Sequence, residues 1–182
     1  PTGLNAAAAG ANQINLTWTS IDPIADTFSV YRAVGTCPQP AYELIASGVT
    51  ALSYLDTTAS GGLTYSYVVT AKDVTGGCES AQSGCAQAQT TGACFEPPAF
   101  GGVQSATNPG LQTCTLDLAW DPATAYCGGP ATYSVYRSTT PGFVPSPANR
   151  IASGVVGTSY SDATELEYGT IYYYVVRATD GS

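Results

Sequence analysis

One series of short motifs occurs twice along this chain, and any fold must accommodate both copies. Ser29 to Arg32 reads SVYR, Ile45 to Val49 reads IASGV, Ser53 to Asp56 reads SYLD, and Tyr65 to Asp73 reads YSYVVTAKD. The second half keeps the order: SVYR at Ser134 to Arg137, IASGV at Ile151 to Val155, SYSD at Ser159 to Asp162, and YYYVVRATD at Tyr172 to Asp180. Matching positions lie about 105 residues apart, the length of a small domain rather than of one solenoid repeat. With 182 residues shared between two copies, each is near the size at which one core supports a domain. In the first copy a further strand-like run follows, Ser83 to Thr90, and in the second Ser182 stands where that run would begin.

The periodicity inside each copy decides the class. Ile14, Leu16 and Trp18 alternate with Asn15 and Thr17, as Leu116, Leu118 and Trp120 do in the second copy, which is the period of half-buried strands. Phe28 with Val30, and Tyr133 with Val135, repeat the pattern. The longest run places Tyr65, Tyr67, Val69 and Ala71 on one face against Ser66, Val68 and Thr70 on the other. Its counterpart sets Tyr172, Tyr174, Val176 and Ala178 against Tyr173, Val175 and Arg177. Turn signals separate the runs, among them Asp22-Pro23, Gly61-Gly62, Gly76-Gly77 and Gly128-Gly129. No helical period is sustained, and the alanine run Ala6 to Ala9 falls in a first-strand position. The expectation is an all-β chain of two tandem immunoglobulin-like sandwiches.

Composition narrows the partners. The net charge is −8 with only 5 Lys and Arg, a poor match for phosphates or anionic lipid, so nucleic acid and membrane insertion are not expected. No apolar run is long enough to span a bilayer as a helix. The absence of Met leads us to expect a processed product or an excerpt of a longer chain. Six Cys without His or a Cys-x-x-Cys pair point to disulfides rather than a metal, hence to an oxidising, extracellular or cell-surface setting.

The residue order now becomes specific. A Trp on the second strand, Tyr-Arg closing the third, and Gly-x-x-Tyr-x-Tyr-x-Val-x-Ala-x-Asp in the first copy resemble the fibronectin type III domain, in particular copies in secreted bacterial proteins. The resemblance implies that Trp18 and Trp120 are core residues. It also implies that Tyr65 and Tyr172 form a corner in which the hydroxyl bonds backbone. It divides the chain into residues 1–93, a short Pro-rich junction 94–98, and residues 99–182, with the last strand (G) lacking in the second sandwich. Pro97-Pro98 favours a short, stiff junction. The resemblance also guides a disulfide pairing: Cys37 with Cys94, Cys78 with Cys85, and Cys114 with Cys127.

Candidate chemistry is sparse. His-dependent triads are excluded by composition. Asp22 with Asp26 and Asp117 with Asp121 are the nearest acid pairs, but they sit at strand ends and loops where Asp forms turns. No calcium-loop spacing is present, and neither cofactor nor metal is expected. Asn15-Leu16-Thr17 matches a glycosylation sequon within a strand, and the integrin-type Arg-Gly-Asp is absent. The outward residues of the long strands are the remaining signal. Tyr31, Val68, Tyr136, Tyr173, Tyr174 and Val175 form a candidate contact face for another subunit or a glycan. In the second sandwich the lacking last strand would leave the strand before it (F, Tyr172 to Thr179) open to strand addition by a neighbouring domain or subunit of the same protein. The reading is a non-catalytic structural or interaction module: a spacer, a stalk or a filament subunit. The alternative is a carbohydrate- or protein-binding accessory module of a secreted bacterial enzyme.

Overall fold

Two immunoglobulin-like sandwiches account for the repeat. The structure, a computed structural model, describes residues 1–21, 26–73, 75, 77–110 and 114–181. The chain divides into Pro1–Phe95 and Glu96–Ser182.

In unit 1 the strands are β1 (Thr2–Gly10), β2 (Gln13–Thr19), β3 (Asp26–Val34), β4 (Glu43–Val49), β5 (Ser53–Asp56), β6 (Thr64–Asp73) and β7 (Ala86–Gln89). One sheet has the order β1-β2-β5 and the other β4-β3-β6-β7, with antiparallel pairing throughout. Alternation places Ile14, Leu16, Trp18, Phe28, Val30, Tyr65, Tyr67 and Val69 between the sheets as one buried cluster. Trp18 meets Phe28 edge-on at 5.5 Å between ring centroids, a favoured aromatic geometry. The alanine run lies within β1, as the sequence position suggested.

Unit 2 repeats the plan with β8 (Val103–Thr107), β9 (Leu116–Trp120), β10 (Thr132–Ser138), β11 (Arg150–Val155), β12 (Ser159–Asp162) and β13 (Tyr173–Thr179). Its sheets are β8-β9-β12 and β11-β10-β13. The buried cluster is smaller: Leu118, Trp120, Tyr133, Val135 and Val176. The repeated IASGV motif has a local cause. Phe28 pairs with Val49 while Val30 pairs with Ala46, so one residue is extra, and Gly48 absorbs it at φ +69°. Gly154 does the same at φ +65° in β11, where Tyr133 pairs with Val155 and Val135 with Ala152. Left-handed backbone at a bulge is the conformation that Gly tolerates best.

The last strand of unit 1 is shorter than its sequence pattern. Regular pairing covers Ala86–Gln89 rather than the whole run Ser83 to Thr90. Above it, the Ser80 and Ser83 hydroxyls accept from the Ala71 and Val69 N–H groups at 2.9 and 3.0 Å. The N–H groups of Ser80 and Ser83 in turn donate to the Ala71 and Val69 carbonyls. Side chains thus replace main-chain acceptors, and the segment follows β6 without continuing the ladder.

Candidate functional site

Among the described residues, each unit contains one buried ion pair that ties its two sheets together. Arg32 on β3 reaches Asp56 at the end of β5, with Nη1 to Oδ2 at 2.9 Å, and the Asp56 side chain is fully buried. The Tyr67 hydroxyl, from β6, donates to the same Oδ2 at 2.9 Å. Oδ1 accepts from the Thr58 N–H and hydroxyl, both at 2.8 Å. Unit 2 builds the same clamp from Arg137 and Asp162 at 2.8 Å, the Tyr174 hydroxyl at 2.8 Å, and Thr164 at 3.1 and 2.9 Å. Each arginine also lies over the corner tyrosine, Arg32 over Tyr65 at 4.7 Å and Arg137 over Tyr172 at 5.2 Å. The corner tyrosines behave as the resemblance implied: the Ser60 N–H donates to the Tyr65 hydroxyl at 3.0 Å, and the Glu167 N–H to that of Tyr172 at 2.9 Å.

The electrostatics follow from this wiring. Burial by itself raises the Asp56 pKa, but Thr58, Arg32 and Tyr67 together bring it below the usual carboxylate range. Asp162 is lowered in the same way, burial being outweighed by Tyr174, Thr164 and Arg137. Tyr67 and Tyr174 are pushed well up, by burial first and by the adjacent carboxylate second. A carboxylate with both oxygens occupied by internal donors is suited to structure rather than to proton transfer. The sequence carries a sign of the clamp, because Arg and Asp close the SVYR and SYLD/SYSD motifs in both copies. Periodicity analysis does not pair them, since they belong to different sheets.

The candidate contact face divides between the units. In unit 1, Tyr31 lies opposite Val68, and its hydroxyl donates to Glu79 at 2.9 Å. The Thr70 hydroxyl donates to the same Glu79 oxygen at 2.6 Å, and these bonds lower the Glu79 pKa. Val68 is only 3% exposed, so this face is closed by its own chain and the expectation of an open one is corrected. In unit 2, Tyr136 lies opposite Val175, Tyr173 is exposed, and Arg177 stands over the Tyr136 ring at 5.8 Å. Tyr174 belongs to the clamp and not to the outer face, a second correction that its alternation with Tyr173 explains.

The cysteines pair differently from the expectation. Cys37 is bonded to Cys85 with a Cα–Cα distance of 5.9 Å, which overturns both Cys37–Cys94 and Cys78–Cys85. The serine-paired segment carries Cys85 along β6, away from the turn that holds Cys78. There Gln87 accepts a bond from the Cys37 N–H at 2.7 Å. Cys114 is an exposed free thiol, while Cys94 and Cys127 are both disulfide-bonded, so Cys114–Cys127 is corrected as well. Of the acid pairs, Asp117 lies in β9 and Asp121 just beyond it, while Asp22 falls outside the described residues and Asp26 begins β3. Asn15 is exposed in the middle of β2, paired with Ala7 and Leu55.

A feature that the sequence reading missed is a cleft of about 290 Å³ in unit 2, lined by Asn108, Cys114, Leu116, Leu166, Tyr168 and Tyr172 among others. Unit 1 covers the matching surface. The Gly61 N–H donates to the Ala93 carbonyl and that of Gly62 to the Thr90 carbonyl. Asn12 holds Ala93 through its side-chain amide, donating at 2.7 Å and accepting at 3.1 Å. A Cβ on Gly61 would lie 2.2 Å from the Gly92 carbonyl oxygen, so this packing requires glycine. When the repeats are aligned on the tyrosine corners and the tryptophans, Tyr168 replaces Gly61 and Cys114 replaces Asn12.

No family model matches the chain. The amylopullulanase of Thermoanaerobacter thermohydrosulfuricus is 42% identical over 77 residues, which are 42% of this chain and 5% of that protein. Exoglucanase A of Cellulomonas fimi is 32% identical over 144 residues, 77% of this chain and 16% of that protein. The chain thus spans a small part of the length of these curated relatives. Among solved structures, an Fn3-like protein from Clostridium thermocellum is 34% identical with a TM-score of 0.43, covering 52% of this chain and 95% of that one. Domains FN1–FN3 of chicken CNTN1 are 15% identical with a TM-score of 0.44, covering 99% of this chain and 60% of theirs.

Proposed function

The chain is a tandem pair of fibronectin type III-like sandwiches, and on that premise we propose that it is a non-catalytic extracellular module, a spacer with interaction surfaces, within a secreted bacterial protein. The observation that carries the reading is the repeated clamp. In both units the buried carboxylate and its arginine are occupied by internal partners that join the sheets. The Cys37–Cys85 disulfide supports an oxidising compartment. The two relatives, an amylopullulanase and an exoglucanase, favour an accessory position within an enzyme polypeptide over a filament subunit. Interaction with a neighbouring domain or subunit of the same protein would use β13, which pairs with β10 on one side and with no other strand among the described residues.

The test uses the purified chain with starch and cellulose. Release of reducing sugar above a blank, abolished by substituting any acidic residue, overturns the reading. Co-sedimentation with either insoluble glucan, without hydrolysis, favours the carbohydrate-binding alternative over the spacer.

A further inference from the structure

The two outer faces of unit 2 carry unpaired charges of opposite sign. On the face of β8-β9-β12, Asp117 lies between Thr107 and Ser161, and Ala119 lies between Ser105 and Ser159. These residues line a shallow depression of about 310 Å³. Asp117 is half-buried there and has no hydrogen-bond or ion-pair partner among the described residues. On the face of β11-β10-β13, Tyr136 lies between Arg150 and Val175, and Arg177 stands over its ring at 5.8 Å. Of the 5 Lys and Arg in the chain, Arg32 and Arg137 are held in the clamps and Lys72 acts on Glu79. The others, Arg150 and Arg177, are exposed beside this one tyrosine and make no ion pair among the described residues. Unit 1 has neither charge at the matching positions: Asn15 stands for Asp117, Leu44 for Arg150 and Thr70 for Arg177. Leu44 is 51% exposed although β7 and Glu79 are in place, so this side of the face is open even in a sandwich that has its last strand.

The depression has the chemistry of a guanidinium site. It offers a carboxylate ringed by serine and threonine hydroxyls with no cation among them, and a guanidinium is a planar fork of N–H donors with no acceptor. From these observations we infer that the β8-β9-β12 face of unit 2 docks the β11-β10-β13 face of unit 2 in a second copy of the chain, with Arg150 of the second copy seated on Asp117. Arg pairs with a carboxylate through two parallel bonds, and its remaining N–H groups meet the surrounding hydroxyls. Tyr136, with Arg177 over its ring, supplies the aromatic surface beside the pair. The two faces are different, so the contact is heterologous: each copy keeps one unused half, and association continues into a ring or an open chain instead of stopping at a dimer. This goes beyond the proposed function, since it uses neither the edge of β13 nor any glucan.

The test is sedimentation velocity of the full chain over a rising concentration series, with Cys78 and Cys114 changed to serine so that their exposed thiols form no cross-links. The sedimentation coefficient should keep rising past that of a dimer. Asp117→Ala, and separately Arg150→Ala with Arg177→Ala, should each weaken association about 30-fold or more, the consequence of removing one side of a desolvated charge pair. Mixed together, the two variants should form a complex that stops at one copy of each, because only one complementary pair of faces survives. Both sites lie on outer faces, so each variant should melt as the parent does, which separates loss of contact from loss of fold. A parent chain that stays monomeric at every soluble concentration overturns the inference. Association untouched by Asp117→Ala also overturns it, as does a parent that stops at a symmetric dimer, because the contact then lies elsewhere.

Discussion

The two sandwiches share a clamp and a corner but differ in how their edges and outer faces are closed. Unit 1 covers β6 with β7, a serine-paired segment, a disulfide and Glu79, and it seals the turn at Gly61 with the chain that follows β7. In unit 2, among the described residues, Tyr173 is exposed and a cleft lies beside Tyr168. The difference separates two sources of stability in this fold. The clamp contacts between the sheets are internal to each unit and repeat almost atom for atom. In unit 1, closure of the outer face is supplied by the chain beyond β6.

The shared part gives the largest expected effect. Asp56→Ala and Asp162→Ala should each destabilise the mutated unit by about 3–5 kcal/mol, the usual consequence of stranding one member of a buried pair. With its smaller core, unit 2 should unfold outright, as read by loss of exchange protection in β9 and β10. Equal tolerance of both substitutions would show that the clamp does not join the sheets. The same groups set the pH response. Both aspartates have folded pKa values below their unfolded ones, so their contribution is present above about pH 4 and is lost as pH falls through the folded values. The tyrosines are shifted the opposite way, so stability should also decline above about pH 10. Acid titration of Asp56→Asn with Asp162→Asn should flatten the acid limb.

Next in size is the disulfide. Cys85→Ser should lower unit 1 stability by up to about 4 kcal/mol, from the chain-entropy term for a closed loop of this length, and leave unit 2 unchanged. Calorimetry before and after the substitution would check it, and an unchanged unit 1 transition would show that the bond does not stabilise the sandwich. The smallest pair of effects concerns the turn. Gly61→Ala should destabilise unit 1 by about 1–3 kcal/mol because its Cβ meets the Gly92 carbonyl. Tyr168→Ala, at the open equivalent in unit 2, should stay within about 0.5 kcal/mol. A large effect at Tyr168 would mean that the open turn packs as closely as the closed one.

Much of this architecture was legible because it is local. Period-two alternation selected the strands and the core residues Ile14, Leu16, Trp18, Leu118 and Trp120, and repetition located the two sandwiches. The tyrosine corners followed from the family resemblance. Alternation also put Tyr173 on the outer face and Tyr174 inside, which marks Tyr174 as unsuited to a contact face. The disulfides resisted prediction because Cys85's position depends on how far a serine-paired segment travels before its ladder begins. Val68 was misjudged because alternation says which face a side chain takes and not what lies over it.

By itself, then, the sequence determined the all-β class, the duplication, the strand faces and both core tryptophans, since each follows from the geometry of an extended backbone and the cost of exposing apolar surface. Tertiary structure alone decided the Arg–Asp–Tyr clamps, the Cys37–Cys85 bond, and the closure of the unit 1 outer face over Val68. These bring together residues from different sheets or from irregular chain, and no local period records such distances.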